Sequence, residues 1–199
     1  MRVIYFHGFA SSPKTNKVNI LRDAGFIVNA PVIDIDPEIA NNQLIDFIRL
    51  EANVYAGKRV FVGTSLGGYW AARMGELFNS ATVLINPAMQ PEKSLKKYVG
   101  EYINHNTGEK SVLTNKIVDK YADYPSFGSE RYRSYFIATK DTKLVKTSNE
   151  GQLFEYDSDD HQGYSFFHDI VNHIKLMESL PIQDPSDFPD FVLTQLFPR

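Results

Sequence analysis

The sequence predicts an α/β fold: a six-stranded, mostly parallel sheet with helices on both faces. Short apolar runs alternate with helical patterns from the first residue. That alternation implies right-handed crossovers between parallel strands. The first of them, Val3–Phe6, is continuously apolar, as in a strand covered on both faces. Composition is globular, with 43% hydrophobic and 23% charged residues in a chain of 199, enough for one domain with a substantial core. That domain is expected over residues 1–180, with an insertion at 88–132 and a Pro-rich apolar tail at 181–199.

Val3–Phe6 opens the sheet. Ser11-Ser12-Pro13 then starts a helix, with Ser12 as cap and Pro13 in the first helical position. Val18, Ile20, Leu21 and Ala24 keep the helical spacing, and Gly25 stands where a left-handed terminator belongs. Phe26–Ala30 is the second strand. Asp36-Pro37 opens a second helix with Ala40, Leu44, Phe47, Ile48, Ala52 and Tyr55 on one stripe, and Gly57 ends it. Lys58–Gly63 is the third strand. Leu66–Phe78 is the third helix, and Gly68, Ala72 and Gly75 give it a small face that can lie close to a sheet. Ala81–Asn86 is a fourth strand stopped by Pro87, Ser134–Ala138 a fifth and Gln152–Tyr156 a sixth. A last helix runs from Tyr164 to Ser179 with Phe167, Val171, Ile174 and Met177 inward.

Two segments break the rhythm. Residues 88–132 are too long for an ordinary connection. Pro91–Val99 and Asn115–Tyr121 read as short helices. Tyr98, Tyr102, Tyr121, Tyr124, Phe127 and Tyr132 either cover a site or form a satellite core. The tail after Leu180 is too apolar for a solvated linker. It is expected to dock on the domain or on a second copy as a homo-oligomer.

A net charge of −3 argues against a nucleic-acid surface, which would be basic. No apolar stretch reaches the roughly 18 residues of a membrane span, and the first residues do not read as a secretory signal. The chain has no cysteine, which excludes thiolate metal sites and cysteine nucleophiles and fits the cytoplasm.

The chemistry concentrates at Gly63-Thr64-Ser65-Leu66-Gly67-Gly68, which follows the apolar run Arg59–Val62. This is a G-x-S-x-G motif where a buried strand ends and a helix begins. A serine hydroxyl is a poor nucleophile unless a sharp strand-to-helix turn thrusts it beside a base, and the glycines leave room for that turn. The motif narrows the fold class to a compact α/β-hydrolase. A phosphate-binding reading of the same glycines lacks the Lys-Ser/Thr pair.

A base and an orienting acid must follow, in the chain order serine, acid, histidine. Of five histidines, His161 lies between the sixth strand and the last helix, at the sheet end where the serine emerges. His168 and His173 fall inside the last helix and read as structural or solvated. His105 sits in the polar turn Asn104–Gly108, and His7 reads as a structural brace. Asp141 follows the fifth strand and is the preferred acid. Its rivals are Asp157, Asp159 and Asp160, beside His161, and Asp119 and Asp123 in the insertion. Asp141 also suits a cap for a segment starting at Thr142. A histidine base must be unprotonated, so activity is expected at neutral to mildly alkaline pH. Two N–H donors should hold the oxyanion: that of Leu66 and, from the loop after the first strand, that of Phe9. First and third strands are expected as neighbours where the strand order reverses.

Ile4-Tyr5-Phe6-His7-Gly8-Phe9-Ala10-Ser11-Ser12-Pro13, Gly63–Trp70 and Ile85-Asn86-Pro87-Ala88, with Lys140-Asp141 and Asp160-His161, resemble the YqiA/YcfP-like family of small bacterial α/β-hydrolases. The resemblance covers roughly residues 2–175. It implies a compact hydrolase fold, esterase activity in part of the family, and a triad on Ser65, Asp141 and His161. The expected function is a serine esterase for small-molecule esters or thioesters, without metal or organic cofactor. The alternative is a non-catalytic interaction protein on the same scaffold, favoured by the insertion and the tail.

Overall fold

The computed structural model describes residues 1–126, 132–141 and 151–178. The chain runs β1 (Arg2–Phe6), α1 (Asn16–Asp23), β2 (Ile27–Asn29), α2 (Pro37–Val54), β3 (Arg59–Thr64), α3 (Leu66–Leu77), β4 (Ala81–Ile85), α4 (Pro91–Ser94), β5 (Gly100–Ile103), β6 (Lys110–Leu113), α5 (Asn115–Asp119), β7 (Arg133–Ala138), β8 (Gln152–Tyr156) and α6 (Phe167–Met177). The tail at 181–199, Phe127 and the segment from Thr142 lie outside the described residues.

The main sheet has the order β2-β1-β3-β4-β7-β8, and every pairing in it is parallel. Strand order reverses between β1 and β3, where Phe6 pairs with Gly63. The fold is therefore the expected α/β-hydrolase sheet. The central strands are buried on both faces, whereas the edge strands β2 and β8 are partly exposed. Ile4, Phe6, Phe61 and Leu84 pack with α2 and α3. Val3, Tyr5, Val60, Val62, Val83, Ile85 and Phe136 pack with α1 and α6 on the other side. The predicted inward residues of α6 are all buried, and His173 packs edge-on to Phe136 and Phe154. No helix among the described residues is long and apolar enough to cross a membrane.

Local chemistry sets the element ends. Asp36 caps α2 by accepting the Glu38 N–H at 3.0 Å. The first helix begins at Asn16 rather than at Pro13, with Thr15 in the cap position. Residues 11–14 are drawn elsewhere: Asn104 Nδ2 donates to the Ser11 carbonyl and Asn106 Nδ2 to the Lys14 carbonyl. Helix α2 stops at Val54, before Gly57, because Tyr55 turns extended and stacks under the Arg2 guanidinium at 4.4 Å.

The insertion contains an antiparallel hairpin, β5–β6, that helix-period reasoning does not find. Its short helices are α4 and α5, each continued by a 3-10 turn. Its aromatics divide between two places. Tyr121 joins the core against Tyr69 and Trp70, whereas Tyr98 and Tyr102 frame Phe9.

His7 is the expected brace. The Ile33 N–H donates to its Nε2 at 3.1 Å, so the proton resides on Nδ1, which donates to the Gly8 carbonyl at 3.0 Å. Burial holds His7 and His173 below the ordinary histidine value. The fold therefore resists protonating them, while the unfolded chain takes up protons as pH falls through about 6.5. Their contribution is present above that pH and lost on acidification. The urea midpoint is expected to fall from about pH 7.5 to about pH 5, and to fall less in His173→Gln. A midpoint that stays level or rises on acidification would contradict this.

Candidate active site

Ser65 sits between β3 and α3 with φ 56° and ψ −121°. A non-glycine residue in that region costs about 1–3 kcal/mol and persists only where its surroundings over-determine it. Here they do. Its N–H donates to the Ile85 carbonyl, and its carbonyl accepts the N–H groups of Gly68 and Ala88, each at 2.9 Å. The turn also requires bare backbone. A Cβ on Gly63 would overlap the Gly67 carbonyl, and one on Gly67 would overlap the Phe6 carbonyl.

The structure brings Ser65, His161 and Asp141 together. His161 Nε2 lies 2.9 Å from Ser65 Oγ, and its Nδ1 is hydrogen-bonded to Asp141 Oδ2. With the carboxylate accepting from Nδ1–H, Nε2 is left to accept the serine proton. The Asp141 side chain is 2% exposed and that of His161 14%, so the acid is sealed while the imidazole reaches the surface.

Three of the rival acids are occupied elsewhere. Asp157 pairs with Lys140 at 2.7 Å. Asp119 pairs with Lys96 on the surface. Asp160 accepts N–H groups from Gln162, Gly163 and Ser165. Burial opposes its ionisation, but these donors outweigh it and hold the carboxyl below its ordinary value. Its charge is spent on shaping the histidine loop. His105 forms the hairpin turn, its N–H donating to the Ala10 carbonyl at 2.8 Å, and His168 is exposed.

Asn86, the expected end of the fourth strand and part of the Ile85–Ala88 motif, is a positioning residue. Fully buried, with φ 42°, it accepts the Ala138 N–H at 2.7 Å and donates to the carbonyls of both Asp160 and His161 at 3.0 Å. It thereby ties the tip of β4 to the end of β7, which leads to Asp141, and to the loop that carries His161. A polar residue between an apolar strand and Pro87 was the available signal. Lys17 is a second such residue. Its buried Nζ donates to Gln162 Oε1 at 3.1 Å and lies 4.3 Å from the Tyr164 ring centroid. Burial lowers its ammonium to about 8.

Phe9 and Leu66 share the wall of one pocket. Leu66 is the first residue of α3, where a helix leaves its N–H without an intrahelical partner. The Phe9 loop lies directly against the serine turn, since a Cβ on Gly8 would stand 3.5 Å from the Ser65 Cβ. The hairpin fixes this loop through the bonds to Ala10 and Ser11 and through the Phe9–Tyr102 ring contact at 4.7 Å. Among the described residues no group of three or more His, Asp or Glu side chains gathers as a metal site.

Residues 2–180 match the family model described as "Uncharacterised protein family (UPF0227)", in agreement with the YqiA-like resemblance. A UPF0227 protein of Shewanella woodyi is 25% identical over 138 residues, 60% of this chain and 76% of that protein. One of Shewanella loihica is 31% identical over 110 residues, 47% of this chain and 54% of that protein. The chain thus aligns with about half the length of the latter. Among solved structures, a putative α/β-superfamily hydrolase from Xanthomonas campestris superposes with a TM-score of 0.56 at 19% identity, over 90% of this chain and 99% of its own. Mouse α/β hydrolase domain-containing protein 10 gives 0.66 at 12% identity over 88% of each chain. An esterase of Pyrococcus furiosus gives 0.59 at 14% identity, over 89% of this chain and 80% of its own. These likenesses establish the α/β-hydrolase fold.

Replacing Asn86 by Ala strands a buried N–H and removes a shared donor from two carbonyls. The expected loss is about 2–4 kcal/mol of unfolding free energy in urea. A loss below about 0.5 kcal/mol would show that the clamp carries no weight.

Proposed function

The chain belongs to the UPF0227 family, and on that premise we propose that it is a serine hydrolase of carboxylic esters. The observation that carries this reading is the hydrogen-bonded chain Ser65–His161–Asp141, with Ser65 directly preceding Leu66 in the turn. Ser65 Oγ attacks the acyl carbon while His161 Nε2 takes its proton. Asp141 holds the imidazole in the required tautomer and stabilises the imidazolium. The N–H groups of Leu66 and Phe9 receive the negative charge of the tetrahedral intermediate. The carbon–oxygen bond to the leaving alcohol breaks, and His161 returns the proton to that alkoxide. Water then attacks the acyl-enzyme with His161 as base, and the carboxylic acid leaves. Thioesters are open to the same sequence, with a thiolate as leaving group.

This chemistry asks for no metal or organic cofactor. We place it in the cytoplasm, on the absence of cysteine, and in a single domain over residues 1–180. The competing reading is an interaction protein that keeps the scaffold without turnover.

With p-nitrophenyl acetate the protein is expected to show a burst and then turnover, both abolished in Ser65→Ala. Asp141→Asn should lower kcat about 10³–10⁴-fold. A fluorophosphonate should label Ser65. Folded protein that resists labelling, or a Ser65→Ala variant as active as the parent, would transfer the case to the interaction protein.

A further inference from the structure

We propose that the pocket beside Phe9 and Leu66 is the acyl pocket, and that Asp34 selects short acyl groups ending in a cationic amine. This rests on the serine-hydrolase reading and extends it to a substrate class.

The side of the ester that enters this pocket follows from its walls. The pocket touches both proposed oxyanion donors and neither His161 nor Asp141. His161 must reach the leaving oxygen to protonate it, so the leaving group lies on the histidine side. The acyl substituent lies on the other side, towards Phe9 and Leu66, which line the pocket beside the serine turn. Its volume is about 70 Å³. A water needs about 10–15 Å³ by the same measure, so a substituent of about four or five heavy atoms fits. A long aliphatic chain does not.

Its chemistry follows from which polar walls still have bonding capacity. His7 is saturated, with Nδ1 on the Gly8 carbonyl and Nε2 on the Ile33 N–H. Asn104 has no acceptor left: its oxygen accepts from Asn106 and Thr107, and its amide spends one of its two hydrogens on the Ser11 carbonyl. The Ser11 hydroxyl donates to Asn106 Oδ1. Asp34 differs. One of its carboxylate oxygens accepts the Asp36 N–H at 2.8 Å. Among the described residues no cation pairs with it. The nearby ammonium of Lys120 is engaged by Asp36 at 2.7 Å and Glu38 at 3.1 Å. Asp34, half-buried in the pocket wall, therefore keeps one carboxylate oxygen without a partner among the described residues. It favours an acyl group that ends in a positively charged donor over an isosteric methyl, and disfavours a carboxylate.

The test compares β-alanine ethyl ester, ethyl butyrate and ethyl hydrogen malonate by acid release at fixed pH. These place an ammonium, a methyl and a carboxylate at nearly the same position. The β-alanine ester is expected to exceed the butyrate by about tenfold in kcat/KM, mainly through KM, with the malonate slowest. In Asp34→Asn, which retains an oxygen for the Asp36 N–H, that preference should shrink to about twofold or less. Preference for butyrate in the parent, or a preference that survives Asp34→Asn, overturns the proposal. A second arm needs no turnover. Calorimetry should detect β-alanine ethyl ester binding to Ser65→Ala and a binding at least about tenfold weaker when Asp34→Asn is added. Absence of saturable binding, or binding indifferent to Asp34, also overturns it. Failure of every ester, p-nitrophenyl acetate included, would instead remove the serine-hydrolase reading, and the binding arm would still decide the pocket.

Discussion

The site depends on one backbone crossing. The end of β1, the end of β3 and the start of α3 meet with no side chain between them, because Gly63 and Gly67 present only hydrogen to one another and to the Phe6 carbonyl. That contact lets α3 begin immediately after β3 and forces Ser65 into its left-handed conformation. Three hydrogen bonds from β4, α3 and the loop after β4 then hold it there. Everything chemical is placed relative to this point. The Leu66 N–H is aimed by the same turn, and the Phe9 loop is aligned by the same β1–β3 pairing.

Much of this was legible in the sequence because it follows from local rules. All six strands of the sheet were found to within a residue or two, the central ones as buried apolar runs and the more polar, exposed edge strand Gln152–Tyr156 by its place in the alternation of elements. The motif around Ser65 was legible for the same reason: its glycines and serine are adjacent in the chain, and the turn needs them in that order. His161 and Asp141 were legible from topology, since each stands in a loop just past a strand at the same end of the sheet.

What was not legible depends on contacts between distant segments. The start of α1 was misplaced because Ser12-Pro13 is a sound cap by local chemistry, yet residues 11–14 are recruited by Asn104 and Asn106 from more than 90 positions away. The hairpin was hidden because one of its faces rests on the domain and its strands are short. Only the Asn106-Thr107-Gly108 turn, with Gly108 at φ 75°, marked it locally. Asp34 could not be singled out either. Its significance lies in its neighbours having spent their hydrogen bonds, which no single-residue pattern encodes.

The order of strands explains why the site needs a clamp on one side only. Reading across the sheet from β2 to β8, the loops carry Asp34, Phe9, Ser65, Asn86, Asp141 and His161 in that sequence. Phe9 is one strand from Ser65 and meets it directly. His161 follows β8, three strands from β3. At about 4.8 Å per strand that is roughly 14 Å, far more than an imidazole spans. The histidine loop must therefore fold back over the tips of β7 and β4 to touch the serine. Left to itself such a loop would show its carbonyls to water and drift. Asp160 gathers its N–H groups into one knot, and Asn86, projecting from the strand it has to cross, takes the carbonyls of Asp160 and His161. A buried asparagine at the end of β4 is thus a geometric consequence of placing the base on the sheet's far strand.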